Sequence, residues 1–211
     1  VVVESRSRAG TDARLERAIP MAMRGWSGEL LPRGMRRGPE RSLYVWDTGK
    51  GLEIEMIRIP PGDFLMGCAS LLPDDEPNCQ PLHTHSMPEG FWIARYKTTW
   101  GDYRRFCTAT TRALPTDPSW GTEADSRPVV NVTWNDAVEF SNWAGLRLPS
   151  EAEWEKAARG IEGQIYPWGN DWEPDRLNYC DRSCPRDARW KDARVDDGFG
   201  YTSPVGHFPR G

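Results

Sequence analysis

A chain of 211 residues is long enough for one large domain, or for one domain and a tail. Hydrophobic residues make up only 38%, yet 11 residues are Trp and Gly and Pro number 20 and 18, so the sequence calls for few large core side chains joined by frequent turns. Residues 1–41 hold 9 of the 27 basic residues and 5 of the 31 acidic ones, a net +4 against −8 for the remainder; an acidic body excludes nucleic acid as the main partner, and no apolar run is long enough to span a membrane.

The first 43 residues read as a basic flexible tail or linker, with the folded body occupying 44–211. Apolar residues are sparse there, and Pro20 cuts the one short helical pattern, Leu15 with Ile19. Val1-Val2-Val3 is too short for a signal-peptide core. Five cysteines, an odd number, argue against a complete disulfide framework. Together these features point to a reducing, cytoplasmic setting with free, partly buried thiols.

In the body, Glu53–Ile59 is β-branched and partly alternating, a strand. Pro60-Pro61-Gly62-Asp63 is a turn, and Phe64–Gly67 a second strand, so a hairpin is expected. The stretch from Leu71 to Ser86 reads as an acidic, proline-broken loop. Gly90–Tyr96 is a third strand with aromatic residues on both faces.

Three short helices follow, each opened by a hydroxyl residue with an acid three positions later, the capping-box spacing. Thr99 and Asp102 open the first, whose stripe is Tyr103, Phe106 and Cys107. After a polar loop and the extended run Arg127–Val132, Thr133 and Asp136 open the second, with Ala137, Phe140, Ser141 and Ala144 inside and Gly145 as its stop. Ser150 and Glu153 open the third, with Trp154, Ala157 and Ala158 as the buried stripe, Glu155 paired to Arg159 and Gly160 as a left-handed stop. Short capped helices between short strands indicate an α+β domain, rich in loops. Beyond Gly160 about forty residues lack periodicity. A stretch this long needs something to hold it, a metal ion or a cross-link.

Asn178-Tyr179 and Asp196-Asp197-Gly198-Phe199 offer oxygens on two separated turns, the donor set of a hard cation such as calcium. Ordinary Asp-Gly turn chemistry explains the same residues. Cys79, His83 and His85, with Cys180 and Cys184, could supply zinc ligands, although neither group has a strong ligand spacing; a local Cys180–Cys184 disulfide is the alternative. No Ser/His/Asp order or phosphate-cradling glycine loop is present, and His207 stands alone.

Several segments resemble a known family: Pro60-Pro61-Gly62-Asp63-Phe64-Leu65-Met66-Gly67, Gly90–Thr99, Arg127–Ala137, Arg147–Glu155 with Ala157–Gly160, and Tyr166-Pro167-Trp168-Gly169-Asn170. The chain from about Gly51 to Gly211 is similar to the formylglycine-generating enzyme, or sulfatase-modifying factor, family. The resemblance implies a loop-rich α+β fold related to C-type lectins. It implies an oxidoreductase that uses oxygen and copper to oxidise a sulfatase cysteine within Cys-x-Pro-x-Arg. Other members are iron-dependent and act on thiols, and others are non-catalytic binding or regulatory modules fused to further domains.

Carried over by position, the family's first calcium site falls on the Asn178 side chain, the Tyr179 carbonyl, the Asp197 side chain and the Phe199 carbonyl. The family's copper-binding cysteines lie in a segment beyond the equivalent of Pro204-Val205-Gly206, and this sequence stops at Gly211. The resemblance therefore implies the front part of a domain, incomplete at its C-terminus and inactive by itself. No catalytic residue is assigned, and copper or iron and a sulfatase or other protein substrate are expected of the complete protein only.

Overall fold

A computed structural model describes residues 1–4, 24–68, 79, 81–121, 124–186 and 189–209. The chain divides into two units, residues 1–95 with 138–163 and residues 96–137 with 164–211.

The first unit is built on a five-stranded antiparallel sheet. Its strands are β1 (Val2–Glu4), β2 (Met35–Arg37), β3 (Leu43–Asp47), β4 (Glu53–Ile59) and β7 (Phe91–Ala94), in the order β1-β7-β4-β3-β2. Register is fixed by pairs such as Tyr44 with Met56 and Ile57 with Ile93. Leu43, Tyr44, Met56, Phe91 and Trp92 are buried along it, and the Tyr44 and Trp92 rings meet edge to face at 5.9 Å. The α+β class read from the sequence is therefore present.

Two expectations change here. The hairpin does not form: β5 (Gly62–Met66) pairs with β6 (His83–Met87) as a separate two-stranded sheet, while β4 pairs with β3 and β7. Turn residues specify a change of direction, not the partner that follows it. His83–Ser86, placed in the acidic loop, is thus strand; the expected loop residues 71–78 and 80 lie outside the described residues.

Residues 2–4, 35–37 and 43, read as tail, are strands of the sheet. The Val2 amide donates to the Arg147 carbonyl at 2.7 Å, and the Val2 carbonyl accepts the Arg147 amide at 3.1 Å. Arg37 donates to the Arg24 and Gly25 carbonyls at 2.7 and 2.8 Å and stacks over Trp26. A basic segment with few apolar residues is thereby held by hydrogen bonds and cation–π contact. The helix pattern at Leu15 and Ile19 lies outside the described residues.

The three capped helices are all present. Helix α1 (Trp100–Thr110) carries the Thr99–Asp102 box and buries Trp100, Tyr103, Phe106 and Cys107. In α2 (Trp134–Trp143) the Asp136 amide donates to Thr133 Oγ1 while Asp136 Oδ2 accepts the Thr133 amide; Phe140 and Ser141 are buried and Gly145 follows with φ +72°.

Helix α3 (Glu151–Arg159) carries the Ser150–Glu153 box and the Glu155–Arg159 pair. Its buried face is a correction. Trp154 is 61% exposed, and Glu153 and Lys156 are buried in its place. Glu153 takes both Arg147 amino groups, at 2.6 and 2.7 Å. Lys156 Nζ donates to the Pro60 and Gly62 carbonyls at 2.9 and 2.8 Å. Gly160 has positive φ, but its ψ of −164° lies outside the left-handed helical region.

Candidate functional site

The aperiodic segment after residue 163 is ordered by local turns and by contacts to Trp120 and Arg127. Tyr166 and Gly169 exchange backbone hydrogen bonds, and the Tyr166 ring stacks on Trp168. After a single helical turn, Pro174–Arg176, the chain enters Asn178-Tyr179 and the Cys180–Cys184 disulfide. A bridge closes Asp181 against Asp192, with the Asp192 amide donating to the Cys180 carbonyl at 3.0 Å. Trp120 stacks on Tyr201 at 4.2 Å, Arg127 donates to Thr202 and lies over Phe199, and the Phe199 and His207 rings meet at 4.7 Å, so His207 has a ring partner.

The expected cation ligands lie inside this framework. Asp197 Oδ1 accepts the Phe199 amide at 2.7 Å, while Asp197 Oδ2 is shut off from solvent without a hydrogen-bond partner among the described residues. Burial pushes the Asp197 carboxyl up; the Phe199 and Tyr179 amides oppose this, and the neighbouring Asp181 and Asp196 carboxylates add to it. The Tyr179 carbonyl accepts the Asp181 amide at 2.9 Å and keeps a second lone pair. Asn178 donates its side-chain amide to the Tyr201 carbonyl at 3.0 Å, which leaves Oδ1 as its acceptor.

Asp196 is committed elsewhere. It pairs with Arg182 at 2.5 Å and accepts from the Ser183 hydroxyl and the Gly198 amide, and these bonds hold its carboxyl down to about 2. A buried carboxylate oxygen without a donor costs free energy unless something positive reaches it. Asn178, Tyr179 and Asp197 therefore fit a hard cation by donor type and by the orphaned oxygen.

Asp181 was not singled out by the sequence reading. It is fully buried, accepting the Ser183 amide at 2.8 Å on one oxygen and the Asp197 amide on the other. The local signal is an Asp two residues before Ser183 inside the Cys-x-x-x-Cys stretch, the spacing of an Asx turn. Beside it lies an open cleft of about 600 Å³ walled by Trp172, Tyr179 and Trp190, with Arg189, Lys191 and Asp192 among its polar groups.

The zinc alternative loses its sulfur ligands, because Cys79 is bonded to Cys68 and Cys180 to Cys184. Cys107, the remaining cysteine, is buried in α1 with its Sγ 3.6 Å from the Ala113 carbonyl, and burial pushes its thiol up. Four paired cysteines also correct the expectation of free thiols.

The family model described as "Sulfatase-modifying factor enzyme 1-like domain" matches residues 45–211. The chain is 49% identical over 83 residues to "Inactive C-alpha-formylglycine-generating enzyme 2" of Bos taurus, covering 39% of this chain and 26% of that protein. It is 27% identical over 208 residues to the "Formylglycine-generating enzyme" of Mycobacterium tuberculosis, covering 74% and 67%. The structure of PvdO from Pseudomonas aeruginosa superposes with a TM-score of 0.56 at 28% identity, covering 79% of this chain and 67% of that one. The chain thus spans about a quarter to two thirds of these relatives. With a family match over most of its length and a shared fold, this chain belongs to the formylglycine-generating enzyme, or sulfatase-modifying factor, family.

Proposed function

We propose that the chain is part of an oxygen- and metal-dependent oxidoreductase that acts on a cysteine or thiol, and that the described segment supplies its scaffold. The observation behind this reading is the family match across residues 45–211. A structural calcium ion would be held by the Asn178 side chain, the Tyr179 carbonyl, the Asp197 side chain and the Phe199 carbonyl. Its chemistry there is electrostatic: it neutralises the buried Asp197 and ties two turns together. The C-type-lectin-like description of the fold belongs to this same reading.

The residues present do not fit copper. A copper–thiolate centre needs soft sulfur donors, and here four cysteines are in disulfides while the fifth is buried against Ala113. No catalytic step is assigned to this chain's own side chains.

One observation favours a second reading, a non-catalytic binding or regulatory module: the similarity to a protein whose own name is "Inactive C-alpha-formylglycine-generating enzyme 2". The test is to incubate the full gene product with copper(I), oxygen and a Cys-x-Pro-x-Arg peptide, and in parallel with iron(II) and small thiols. Conversion of cysteine to formylglycine, or oxidation of a thiol, supports the enzyme. A folded, calcium-binding product that oxidises neither contradicts it and leaves the binding module.

A further inference from the structure

Resting on the calcium reading, we infer that Asp181 and the Cys180–Cys184 bond together preorganise the cation loop, so that cation affinity depends on the thiol redox state. Three placements lead to this. The disulfide begins at the residue after Tyr179 and encloses Asp181, so the covalent clip abuts one half of the ligand set. Asp181 then holds the other half: its fully buried carboxylate accepts the amide of Asp197 itself. The approach to Asp197 is also fastened to the clip, by the Asp192 amide on the Cys180 carbonyl at 3.0 Å, the Arg182 amide on the Val195 carbonyl at 2.9 Å and Lys191 Nζ on the Cys184 carbonyl at 2.7 Å.

Within the clip the Cys184 amide donates to the Asp181 carbonyl at 3.1 Å, so the backbone of Asp181 is fixed from both sides. Two carboxylates, Asp181 and Asp197, are thereby brought together with one backbone amide between them. Like charges so placed repel, and a divalent cation on the outer carboxylate relieves the repulsion. Once the clip opens, the same two carboxylates are free to separate, and the loop must be ordered again each time a cation binds.

The redox step is thiol–disulfide exchange with a dithiol reductant. The Cys180–Cys184 S–S bond breaks, two electrons and two protons yield two thiols, and the reductant leaves as its own disulfide. Chain order then gives the direction of regulation: oxidation tightens the cation site and reduction loosens it.

The experiment titrates calcium alone into the chain by calorimetry, before and after reduction with a dithiol, with near-ultraviolet circular dichroism to follow packing. The expected result is a Kd at least tenfold weaker after reduction. The Cys68→Ser/Cys79→Ser variant should retain that response. The Cys180→Ser/Cys184→Ser variant should bind weakly with or without reductant, and Asp181→Asn should bind weakly while both disulfides stay intact. Equal affinity in the oxidised and reduced wild type overturns the inference and leaves the calcium reading standing. Absence of binding to the oxidised chain overturns both, and loss of the response in the Cys68→Ser/Cys79→Ser variant instead assigns the switch to the wrong bond.

Discussion

Replacing Glu153 by Ala tests how helix α3 is held. The side chain is 9% exposed, takes two charge-assisted bonds from Arg147 and accepts the Ser150 amide at 2.8 Å. Removing one partner of a fully buried pair costs about 3–5 kcal/mol. Arg147 is 37% exposed, so its freed guanidinium recovers water, which reduces this to about 2 kcal/mol. Losing half of the capping box adds about 1 kcal/mol. The sum, about 3 kcal/mol, lowers a urea midpoint by about 1.5 M for a slope near 2 kcal/mol per M. Trp154→Ala is the internal control. A buried Trp would cost about 3–5 kcal/mol, but at 61% exposure the change should stay within about 1 kcal/mol. Urea unfolding followed by circular dichroism measures both; a larger loss for Trp154→Ala than for Glu153→Ala would refute the polar account of this face.

Burial pushes the Glu153 carboxyl up, but the bonds from Arg147 and the Ser150 amide outweigh it and set the carboxyl below its ordinary 4.5. Its stabilisation is therefore present above pH 4.5 and is lost as pH falls through the lower folded value; the gap between wild type and Glu153→Gln should close below that pH in the same unfolding assay. Thiol titration with the disulfides intact should find no reactive cysteine in the native chain and one, Cys107, in denaturant. Gly145→Ala should cost about 1–2 kcal/mol in thermal unfolding, because φ is +72° and the new methyl would lie 3.3 Å from Trp46.

The capped helix starts were legible because a capping box is written within four consecutive residues, and Ser150 with Glu153 or Thr99 with Asp102 needs no knowledge of the rest of the chain. The buried side of α3 was not. Lys156 is satisfied by the Pro60 and Gly62 carbonyls, more than ninety residues away, and helical periodicity carries no information about such partners. The same holds for β2, where Met35-Arg36-Arg37 lacks strand character and is held by its pairing with Tyr44-Val45-Trp46. In the candidate site, the resemblance pointed to Asn178 and Asp197, while the hydrogen bond from Asp197 to Asp181 emerged only with the fold. The Cys180–Cys184 bond was open in the sequence as the alternative to zinc, while the Cys68–Cys79 bond was hidden by the odd count, which the single buried Cys107 explains.

The most direct test is the melting temperature of the oxidised chain in calcium and in excess chelator, for wild type and Asp197→Asn. If Asp197 Oδ2 faces a bound cation, calcium at a hundred times its Kd adds about 2.7 kcal/mol to the wild type and raises its Tm, and the variant loses that rise. Superimposable wild-type curves in calcium and chelator would contradict the account.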